Sequence, residues 1–371
     1  MFRHIGTTFF SFFWVVSYFL GSSACGQTPP QPPVAVGSDV SDLQRATLAV
    51  QSMQRSYDLQ SGLYKTTGWW NSANLITAVA DFSRIEQTHV YDYIFSNTLS
   101  AAQKKFPRFV NEYYDDEGWW ALAWIDVYEH THDPRYLEAA QYIFRDMSYG
   151  WDDTCSGGIW WSKDRKYKNA IANELFLTVA AELGEHASSP SQRNEYLVWA
   201  NKEWKWFSHS GMINRDNLVN DGLDDKCLNN GRTTWTYNQG VVLGGLTALY
   251  RLDHDASLLP SADKIAQAAL STLVDKQGVL HDVCEPRCGA DGTQFKGIFV
   301  RNLRALTLVS VQASSYRKFM VLNASSIWTQ AEAPDYRLGQ AWAAPFGTAD
   351  ASTQGSALDA LVAAASQTKP K

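Results

Sequence analysis

The sequence has little that points to nucleic acid, nucleotides or metals. It carries 32 Lys and Arg against 38 Asp and Glu, a formal net charge of −6, and so lacks the basic surface of nucleic-acid-binding proteins. It contains neither a glycine-rich phosphate loop nor the cysteine and histidine spacing of a zinc site. His130 and His132 in YEHTHD are expected at solvated positions rather than as metal ligands. We therefore expect no cofactor, no metal and no nucleic acid partner.

Alternation of polar and apolar residues with period two is also scarce, so the sequence predicts few β-strands. Aromatic residues, in contrast, are abundant, with 15 Trp, 17 Tyr and 17 Phe. Aromatic rings offer flat apolar faces that stack on sugars, and they also pack against one another in a core. Composition alone leaves both roles open for each ring.

The first 24 residues have the pattern of a secretory signal peptide. An apolar run, Phe9–Leu20, follows Arg3 and His4 and precedes the small residues of Gly21–Ala24. That run is too short to span a bilayer. The sequence therefore predicts export, to a secreted or cell-envelope location.

Cys25 directly follows this segment, at the position where a bacterial lipoprotein is acylated, although Ser22 is not the branched residue usual at such sites. Residues 25–38, with the motif QTPPQPPVAVG, predict a proline-rich linker. The C-terminal SQTKPK has no apolar tail, so we expect no glycolipid anchor, and residues 367–371 are predicted as a disordered tail. Attachment to a membrane through a lipid on Cys25 stays open beside free secretion.

Export permits disulfide bonds among the four remaining cysteines, Cys155, Cys227, Cys284 and Cys288. The proline-containing CEPRC favours a local bridge from Cys284 to Cys288, which would leave Cys155 for Cys227. Four cysteines nevertheless allow three pairings, so the sequence does not decide between them.

A repeating helical hairpin organises the rest of the chain. Apolar helices are announced by loops rich in Gly or aromatic residues, as in TGWWNSANLI, DEGWWALAWI, SGGIWWSKDR, TTWTYNQGVV, QFKGIFVRNL and ASTQGSALDALVAAAS. Second helices begin at Pro, as in HDPRYLEAA, and are apolar on one face only. Six inner helices with outer partners make an all-α (α/α)6 barrel, which we predict over residues 39–366. The loops before the inner helices would then converge on one cleft.

Glycoside cleavage in such a cleft needs two carboxyl groups. Three adjacent pairs are available: Asp115–Asp116, Asp152–Asp153 and Asp224–Asp225. Each pair also suits helix capping or a solvated loop. Asp115–Asp116 differs because aromatic residues flank it in NEYYDDEGWW, and exclusion of water would separate the two pKa values.

Several aromatic, amide and charged residues near the predicted helix starts are candidates for sugar contacts, with capping or core hydrogen bonding as the alternative for each. They are Trp70, Asn71, Trp119, Trp120, Asn173, Asp221, Tyr237, Asn238, Gln239 and Lys296.

Six segments, in order along the chain, resemble the motifs of glycoside hydrolase family 76, the α-1,6-mannanases. They are YYDDEGWWALAWIDVY, GGIWWS, YKNAIANELFL, NLVNDGL, WTYNQGVVLGGLTALYR and DGTQFKGIFVRNL. The resemblance implies an (α/α)6 barrel, endo-hydrolysis of α-1,6-mannan with retention of configuration, and no metal requirement. It also implies that Asp115 is the nucleophile and Asp116 the acid/base, since the family's Asp–Asp motif falls on this pair.

Three other functions remain open on the same motifs. The family contains fungal wall proteins thought to act as transglycosylases. A uronyl hydrolase or polysaccharide lyase would share the barrel, but the motif loops carry more aromatics and carboxylates than the Lys and Arg that an acidic substrate favours. A mannan-binding surface protein would need the aromatic residues but not Asp115 and Asp116.

Overall fold

The computed structural model describes residues 40–368, which form two concentric layers of α-helix. The outer layer consists of α1 Asp42–Gln54, α3 Asp92–Ala101, α5 Pro134–Ser148, α7 Pro190–Phe207, α9 Leu259–Thr272 and α12 Ala313–Gln330. The inner layer consists of α2 Trp69–Glu86, α4 Tyr114–Thr131, α6 Ala170–Glu185, α8 Thr236–Asp253, α11 Phe295–Leu306 and α13 Ala351–Thr368. One short helix, α10 (Gly289–Gly292), and a hairpin of two-residue strands, β1 Tyr57–Asp58 with β2 Leu63–Tyr64, complete the α-helices and strands of residues 40–368, and four short 3-10 helices lie in the loops.

The two layers differ in how much of each helix is apolar. In α6, AIANELFLTVAAELGE, almost every side chain is buried, because neighbours pack on all its sides. In α5 the buried residues are Tyr136, Ala140, Ile143, Phe144 and Met147, which follow the spacing of a single helix face. An all-round apolar helix therefore lies inside, and a one-sided helix covers it.

The inner helices close into a ring. Each contacts the next in the order α2, α4, α6, α8, α11 and α13, and α13 returns to α2. Outer helix α1, the first in the described chain, packs against α13 and so supplies the outer partner of the last inner helix. The predicted all-α (α/α)6 barrel is confirmed.

The loops that enter three inner helices are held by a recurrent amide contact. In each loop an isolated antiparallel bridge forms, Trp151 with Ile159, Ile213 with Val219, and Glu332 with Leu338. The backbone N–H of the second bridge residue donates to a side-chain amide of the following helix, at 2.7–2.8 Å, from Ile159 to Asn173, Val219 to Gln239, and Leu338 to Gln354. We call these three side chains the loop amides.

Two disulfide bonds link loops in the structure, Cys155–Cys227 and Cys284–Cys288, the pairing that the CEPRC motif favoured. The first joins the loop before α6 to the loop before α8, across 72 residues of sequence. The second closes a small loop just ahead of α10.

The chain ends differ from the prediction in one respect. Gln367 and Thr368 belong to α13 rather than to a tail, and the Gln367 carboxamide accepts a hydrogen bond from Arg317 of α12. The predicted signal peptide, Cys25 with its lipid, and the 25–38 linker lie outside the described residues. Within residues 40–368, none of the helices combines the length and apolar character needed to cross a bilayer.

Candidate active site

Four aromatic rings form the floor of the space between the inner helix starts. Trp70 stacks on Trp119 with ring centroids 5.6 Å apart, and Trp119 faces Tyr237 at 6.4 Å. Tyr237 stacks on Phe295 at 3.9 Å, and Phe295 returns to Trp70 at 6.3 Å. The rings come from α2, α4, α8 and α11, so the closure of the barrel brings distant sequence segments into one aromatic floor.

Asp115 and Asp116 lie in the first turn of α4, next to this floor. The N-cap residue is Tyr113, so neither aspartate caps the helix in the predicted way. Asp115 accepts hydrogen bonds from the Trp161 indole N–H at 2.9 Å and from the Asp116 backbone N–H at 3.0 Å. Asp116 accepts one from the Asn111 carboxamide at 2.6 Å. Among residues 40–368, neither aspartate has an ion-pair partner, so both depend on neutral donors.

Burial raises the pKa of both carboxyl groups. The pKa of Asp115 rises to about 8, first because of burial and then because of the charge of Asp116. The pKa of Asp116 rises to about 6 through burial, with the Asn111 hydrogen bond acting in the opposite direction. Because the two carboxyl groups lie side by side, they titrate as a pair whose raised pKa values favour retention of a proton.

Further carboxyl groups surround the pair. The charges of Asp221, Asp115 and Asp291 all act on the Tyr237 hydroxyl, whose pKa burial raises well above its usual value. Asp221 accepts a hydrogen bond from the Tyr167 hydroxyl at 2.5 Å, and Asp291 accepts one from the Trp70 indole at 3.0 Å. The cleft is thus acidic, which suits a neutral ligand or a developing positive charge and disfavours an acidic sugar.

Glu174 of inner helix α6 has a fully buried carboxyl whose two oxygens lack a hydrogen-bond partner among the described residues, as does Glu203 of outer helix α7. Burial and the charge of Asp221 raise the pKa of Glu174 well above its ordinary value. Asn238 of α8 is likewise buried with both amide atoms unpartnered. Buried polar groups without partners are rare, and near a cleft they indicate groups that a ligand or water completes.

Trp161 reaches Asp115 from the loop before α6, and a buried lysine shapes that loop. The Lys168 ammonium donates to the backbone oxygens of Thr154, Gly157 and Gly158 at 2.7–2.9 Å. It also donates to the Asp152 carboxylate at 2.9 Å, which in turn accepts the Trp160 indole N–H at 2.7 Å. The lysine acts as an internal cation that folds the loop and fixes the neighbouring Trp161.

The other two aspartate pairs have structural roles. Asp152 belongs to the Lys168 cluster, whose hydrogen bonds lower its pKa to about 2. Asp224 accepts backbone N–H groups of Lys226 and Leu228 within a turn. Among the three pairs, only Asp115–Asp116 combines an aromatic surrounding with raised pKa values.

The structure contradicts several predicted sugar contacts. Trp120 has no exposed surface and packs against Trp69, Phe109 and Trp124, so it is a core ring. Asn173 and Gln239 are loop amides whose polar atoms are all occupied by backbone.

The side chains of two further candidates, Asn71 and Lys296, bond to other protein groups. Asn71 donates to the carboxamide of Gln294 at 2.9 Å, joining α2 to α11. Lys296 is buried, with its ammonium 2.6 Å from Glu285 and donating to the Gln340 carbonyl at 2.8 Å. Both side chains therefore hold neighbouring elements together.

Of the remaining candidates, Trp70, Trp119 and Tyr237 belong to the aromatic floor, and Asp221 acts on the Tyr237 hydroxyl. Sequence reasoning did not single out Trp161 and Asn111, which donate to the aspartate pair, or Asp291, which accepts from Trp70. The doubled tryptophan of GGIWWS, beside an aromatic-flanked aspartate pair, was the available signal for Trp161.

His130 also differs from the prediction of a solvated position. Its side chain is only 4% exposed, and its imidazole is hydrogen-bonded to Asp92. His132, at the C-cap of α4, is exposed as predicted.

Comparison with known proteins agrees with the fold and the motifs. The sequence profile of glycosyl hydrolase family 76 matches residues 42–371. A putative mannan endo-1,6-alpha-mannosidase of Schizosaccharomyces pombe is 30% identical over 203 residues, 50% of this chain and 45% of that protein. The mannan endo-1,6-alpha-mannosidase DCW1 of Candida albicans is 31% identical over 218 residues, 53% of this chain and 47% of that protein. The chain spans about half the length of these relatives.

Among solved structures, the GH76A alpha-1,6-mannanase of Salegentibacter sp. HEL1_6 superimposes with a TM-score of 0.80. It is 23% identical, and the match covers 88% of this chain and 99% of that one. An inactive variant of that enzyme, with two consecutive aspartates replaced by asparagine, was solved in complex with alpha-1,6-mannotriose. At this level of identity the likeness establishes the fold.

Proposed function

The chain belongs to glycosyl hydrolase family 76, and from this premise we propose that it is an endo-acting α-1,6-mannanase that retains the anomeric configuration. The observation that carries the proposal is the Asp115–Asp116 pair, buried beside an aromatic floor with only neutral hydrogen-bond donors. Two carboxyl groups with raised pKa values are what glycoside cleavage requires.

In the first step a carboxylate oxygen of Asp115 attacks the anomeric carbon of the mannosyl residue. The bond from that carbon to the leaving sugar breaks, and its electron pair remains on the leaving oxygen, which takes the proton of Asp116. The product is a mannosyl ester on Asp115, with inverted configuration.

In the second step water attacks the same carbon. Asp116, now ionised, accepts a proton of that water, and the ester bond breaks to restore the Asp115 carboxylate. Two inversions restore the original configuration, so the first product is the α-anomer.

Attack requires Asp115 to be ionised while Asp116 holds the proton. Burial raises the pKa of both carboxyl groups, so the site must favour the ionised form of Asp115 over that of Asp116. Positive charge that develops at the anomeric carbon stabilises the adjacent carboxylate, and the two N–H donors to Asp115 favour the same state. Asp116 then holds the proton as the acid.

The acidic surroundings favour a neutral mannan over an acidic polysaccharide. Asp221, Asp291 and the catalytic pair contribute negative charge, and the described cation that acts most directly on Asp116 is Lys105. A uronic acid would meet repulsion there, which argues against the lyase and uronyl hydrolase alternatives. We assign sugar stacking to Trp70, Trp119 and Tyr237, and hydroxyl recognition to Asp221, Asn238 and Glu174.

We place the protein outside the cytoplasm, secreted or in the cell envelope. The two disulfide bonds support this location, because such bonds persist in oxidising compartments. Lipid attachment at Cys25 stays a prediction.

The test is digestion of linear α-1,6-mannan by the wild type, Asp115→Asn and Asp116→Asn, with product anomers followed by NMR. We expect oligosaccharides of several lengths, initial release of the α-anomer, and loss of release in both variants. Unimpaired cleavage by both variants would refute the assignment of the pair, and initial release of the β-anomer would refute retention.

The same assay separates the alternatives. With an α-1,6-mannotriose acceptor present, transglycosylation yields elongated acceptor molecules. It is recognised when these molecules outnumber the new reducing ends that hydrolysis releases. Binding of mannan without any cleavage by the wild type would favour the surface-binding function. For an acid/base at position 116, an aryl mannoside with a good leaving group should react with Asp116→Asn at nearly the wild-type rate of the first step.

A further inference from the structure

A cluster of three side chains at the far end of α4 has no part in the proposed chemistry. His89 follows α2, Asp92 opens α3, and His130 lies in the last turn of α4. The Asp92 carboxylate accepts hydrogen bonds from both rings through separate oxygens, from His89 Nδ1 at 3.0 Å and from His130 Nε2 at 2.8 Å. One ligand atom from each residue lies within 4.8 Å of the other two.

The geometry points to a binding site for one divalent transition-metal ion, held by His89, Asp92 and His130. Imidazole nitrogens and a carboxylate oxygen are the donor set preferred by Zn²⁺ and other divalent first-row transition metals such as Co²⁺ and Ni²⁺, rather than by Mg²⁺ or Ca²⁺. Three protein ligands leave at least one coordination position for water. The described part of the chain holds no other such cluster.

The local structure prepares the three donors. His89 and Asp92 lie three residues apart in a turn closed by the Asp92 backbone N–H and the His89 carbonyl at 3.2 Å, which sets their spacing. The His130 ring is fixed between the His89 ring, stacked at 5.1 Å, and the edge of Phe95 at 5.8 Å. Its side chain is 4% exposed. A ligand with a restricted ring loses little freedom when a metal binds.

Charge and access also fit a cation. Within residues 40–368, Asp92 forms ion pairs only with the two histidines, so no Arg or Lys neutralises its carboxylate. The His89 side chain is 74% exposed and gives an ion from solvent a direct path to the cluster. Closing the ligand atoms to the roughly 3.3 Å of a tetrahedral Zn²⁺ shell requires only a small movement of this exposed ring.

The bound ion would fasten the α2–α3 corner to the end of α4. About 14 residues of helix separate this cluster from the catalytic pair, roughly 20 Å at 1.5 Å per residue. We therefore expect the metal to stabilise the fold without entering the reaction.

The test uses chelator-treated wild type purified without a polyhistidine tag, titrated with ZnCl₂ by calorimetry and followed by thermal unfolding. We expect one equivalent of Zn²⁺ per chain, a Tm that rises with the logarithm of free Zn²⁺, and unchanged mannan-cleaving or mannan-binding behaviour. Visible absorption of bound Co²⁺ reports the nitrogen and oxygen shell directly.

His89→Ala is the informative variant, because its exposed ring can be removed without a cavity in the core. It should lose the calorimetric signal and the rise in Tm while keeping the Tm of the metal-free wild type. Asp92→Asn, which keeps hydrogen-bonding ability but not the charge, should bind far more weakly. The matched control is His132→Ala, two residues from His130 and exposed, which should bind as the wild type does.

Absence of Zn²⁺ binding to the wild type, or equal binding by His89→Ala, would overturn the proposal. Loss of binding in His132→Ala would also overturn it, because the ion would then lie elsewhere. These outcomes do not depend on whether mannan is the substrate.

Discussion

The Asp115–Asp116 pair and Asp81, which lie toward opposite ends of the inner helices, are buried in opposite ways. At the end where inner helices start, Asp115 and Asp116 receive only neutral N–H donors, and burial raises both pKa values. At the other end Asp81 contacts Arg84 and also Arg304, the latter at 2.6 Å, and the two guanidinium groups lower its pKa. A cavity of about 800 Å³, lined by further Arg and acidic side chains, separates these helix ends.

The difference shows that burial alone does not define a reactive carboxyl group. Removal from water costs free energy in both places, and at Asp81 the arginines offset that cost. Beside them, burial still raises the pKa of Glu182 to about 8 and of Asp359 to about 7. At Asp115 and Asp116 the cost is left in place, so both pKa values stay raised.

The largest effect should come from Asp115→Asn, which removes the proposed nucleophile. We expect mannan cleavage to fall by about 10³-fold or more, as for loss of a covalent catalytic group, with Tm equal to or above that of the wild type. The Tm should not fall because an isosteric amide removes repulsion from Asp116. A large drop in Tm would contradict the comparison with Asp81, since it would show that Asp115 also stabilises the fold.

The reverse result is expected for Asp81→Asn. Arg304 would lose its carboxylate inside the barrel, which should cost about 3–5 kcal/mol of unfolding free energy, as for other broken buried pairs. Cleavage by the folded protein should stay close to that of the wild type. Urea unfolding measures the loss, and Asp133→Asn, at a partly exposed N-cap aspartate paired with Arg135, is the control that should change little.

A smaller effect on activity should follow Trp161→Phe. The ring remains, but the N–H that donates to Asp115 is lost, and this raises the pKa of Asp115 further. We expect a loss of about 10- to 100-fold in kcat/KM, the range for a hydrogen bond to a charged group, and a shift of the acidic limb of the pH profile to higher pH.

Trp160→Phe is the matched control for this change, because the Trp160 indole donates to Asp152 instead. Its acidic limb should stay at the wild-type pH. An equal shift in both variants would mean that loop disorder, rather than the lost donor, changes the titration.

The smallest effect is the pH dependence of stability, which should have opposite sign for Asp116 and for Asp81. The pKa of Asp116 is raised to about 6 in the folded chain, so its contribution to stability falls as pH rises from about 4 to 6. The unfolding free energy of Asp116→Asn should therefore rise relative to that of the wild type between about pH 4 and 6. Above about pH 6 the difference between the two proteins should stay constant.

For Asp81 the folded pKa is lowered, so its contribution is present above the unfolded value and disappears as pH falls below it. The loss of unfolding free energy in Asp81→Asn, relative to the wild type, should accordingly be largest at neutral pH and become smaller in acid. Thermal unfolding at a series of pH values measures both trends. Parallel curves for the two variants would refute the contrast.

Much of the fold could be predicted from the sequence. Helix periodicity separated all-round apolar helices from one-sided ones, and the loops before them marked where the inner helices start. The partner of α13 could not be recognised in this way, because α1 lies at the opposite end of the chain and only closure of the ring brings them together.

The site was harder to predict than the fold. Asn173 and Glu174 are adjacent in α6, and the pattern suggested the amide as the sugar contact. In the structure the Asn173 carboxamide is hydrogen-bonded to Ile159 of the loop, whereas the Glu174 carboxyl has no hydrogen-bond partner among the described residues. Successive residues of a helix point about 100° apart, and the rotation of the helix about its axis is set by packing with its neighbours. Local sequence therefore identifies the helix but not the side chain that faces the cleft.

The loop amides Asn173, Gln239 and Gln354 suggest how this scaffold changes over evolution. Each accepts a hydrogen bond from one backbone N–H of the loop that precedes its helix. In the loops before α8 and α13, residues between the outer helix and that position can be exchanged while this contact keeps the helix start in place. The loop before α6 is additionally held by Lys168 and by the Cys155–Cys227 disulfide. Loops transplanted between homologues should therefore succeed when cut just before Val219 or Leu338.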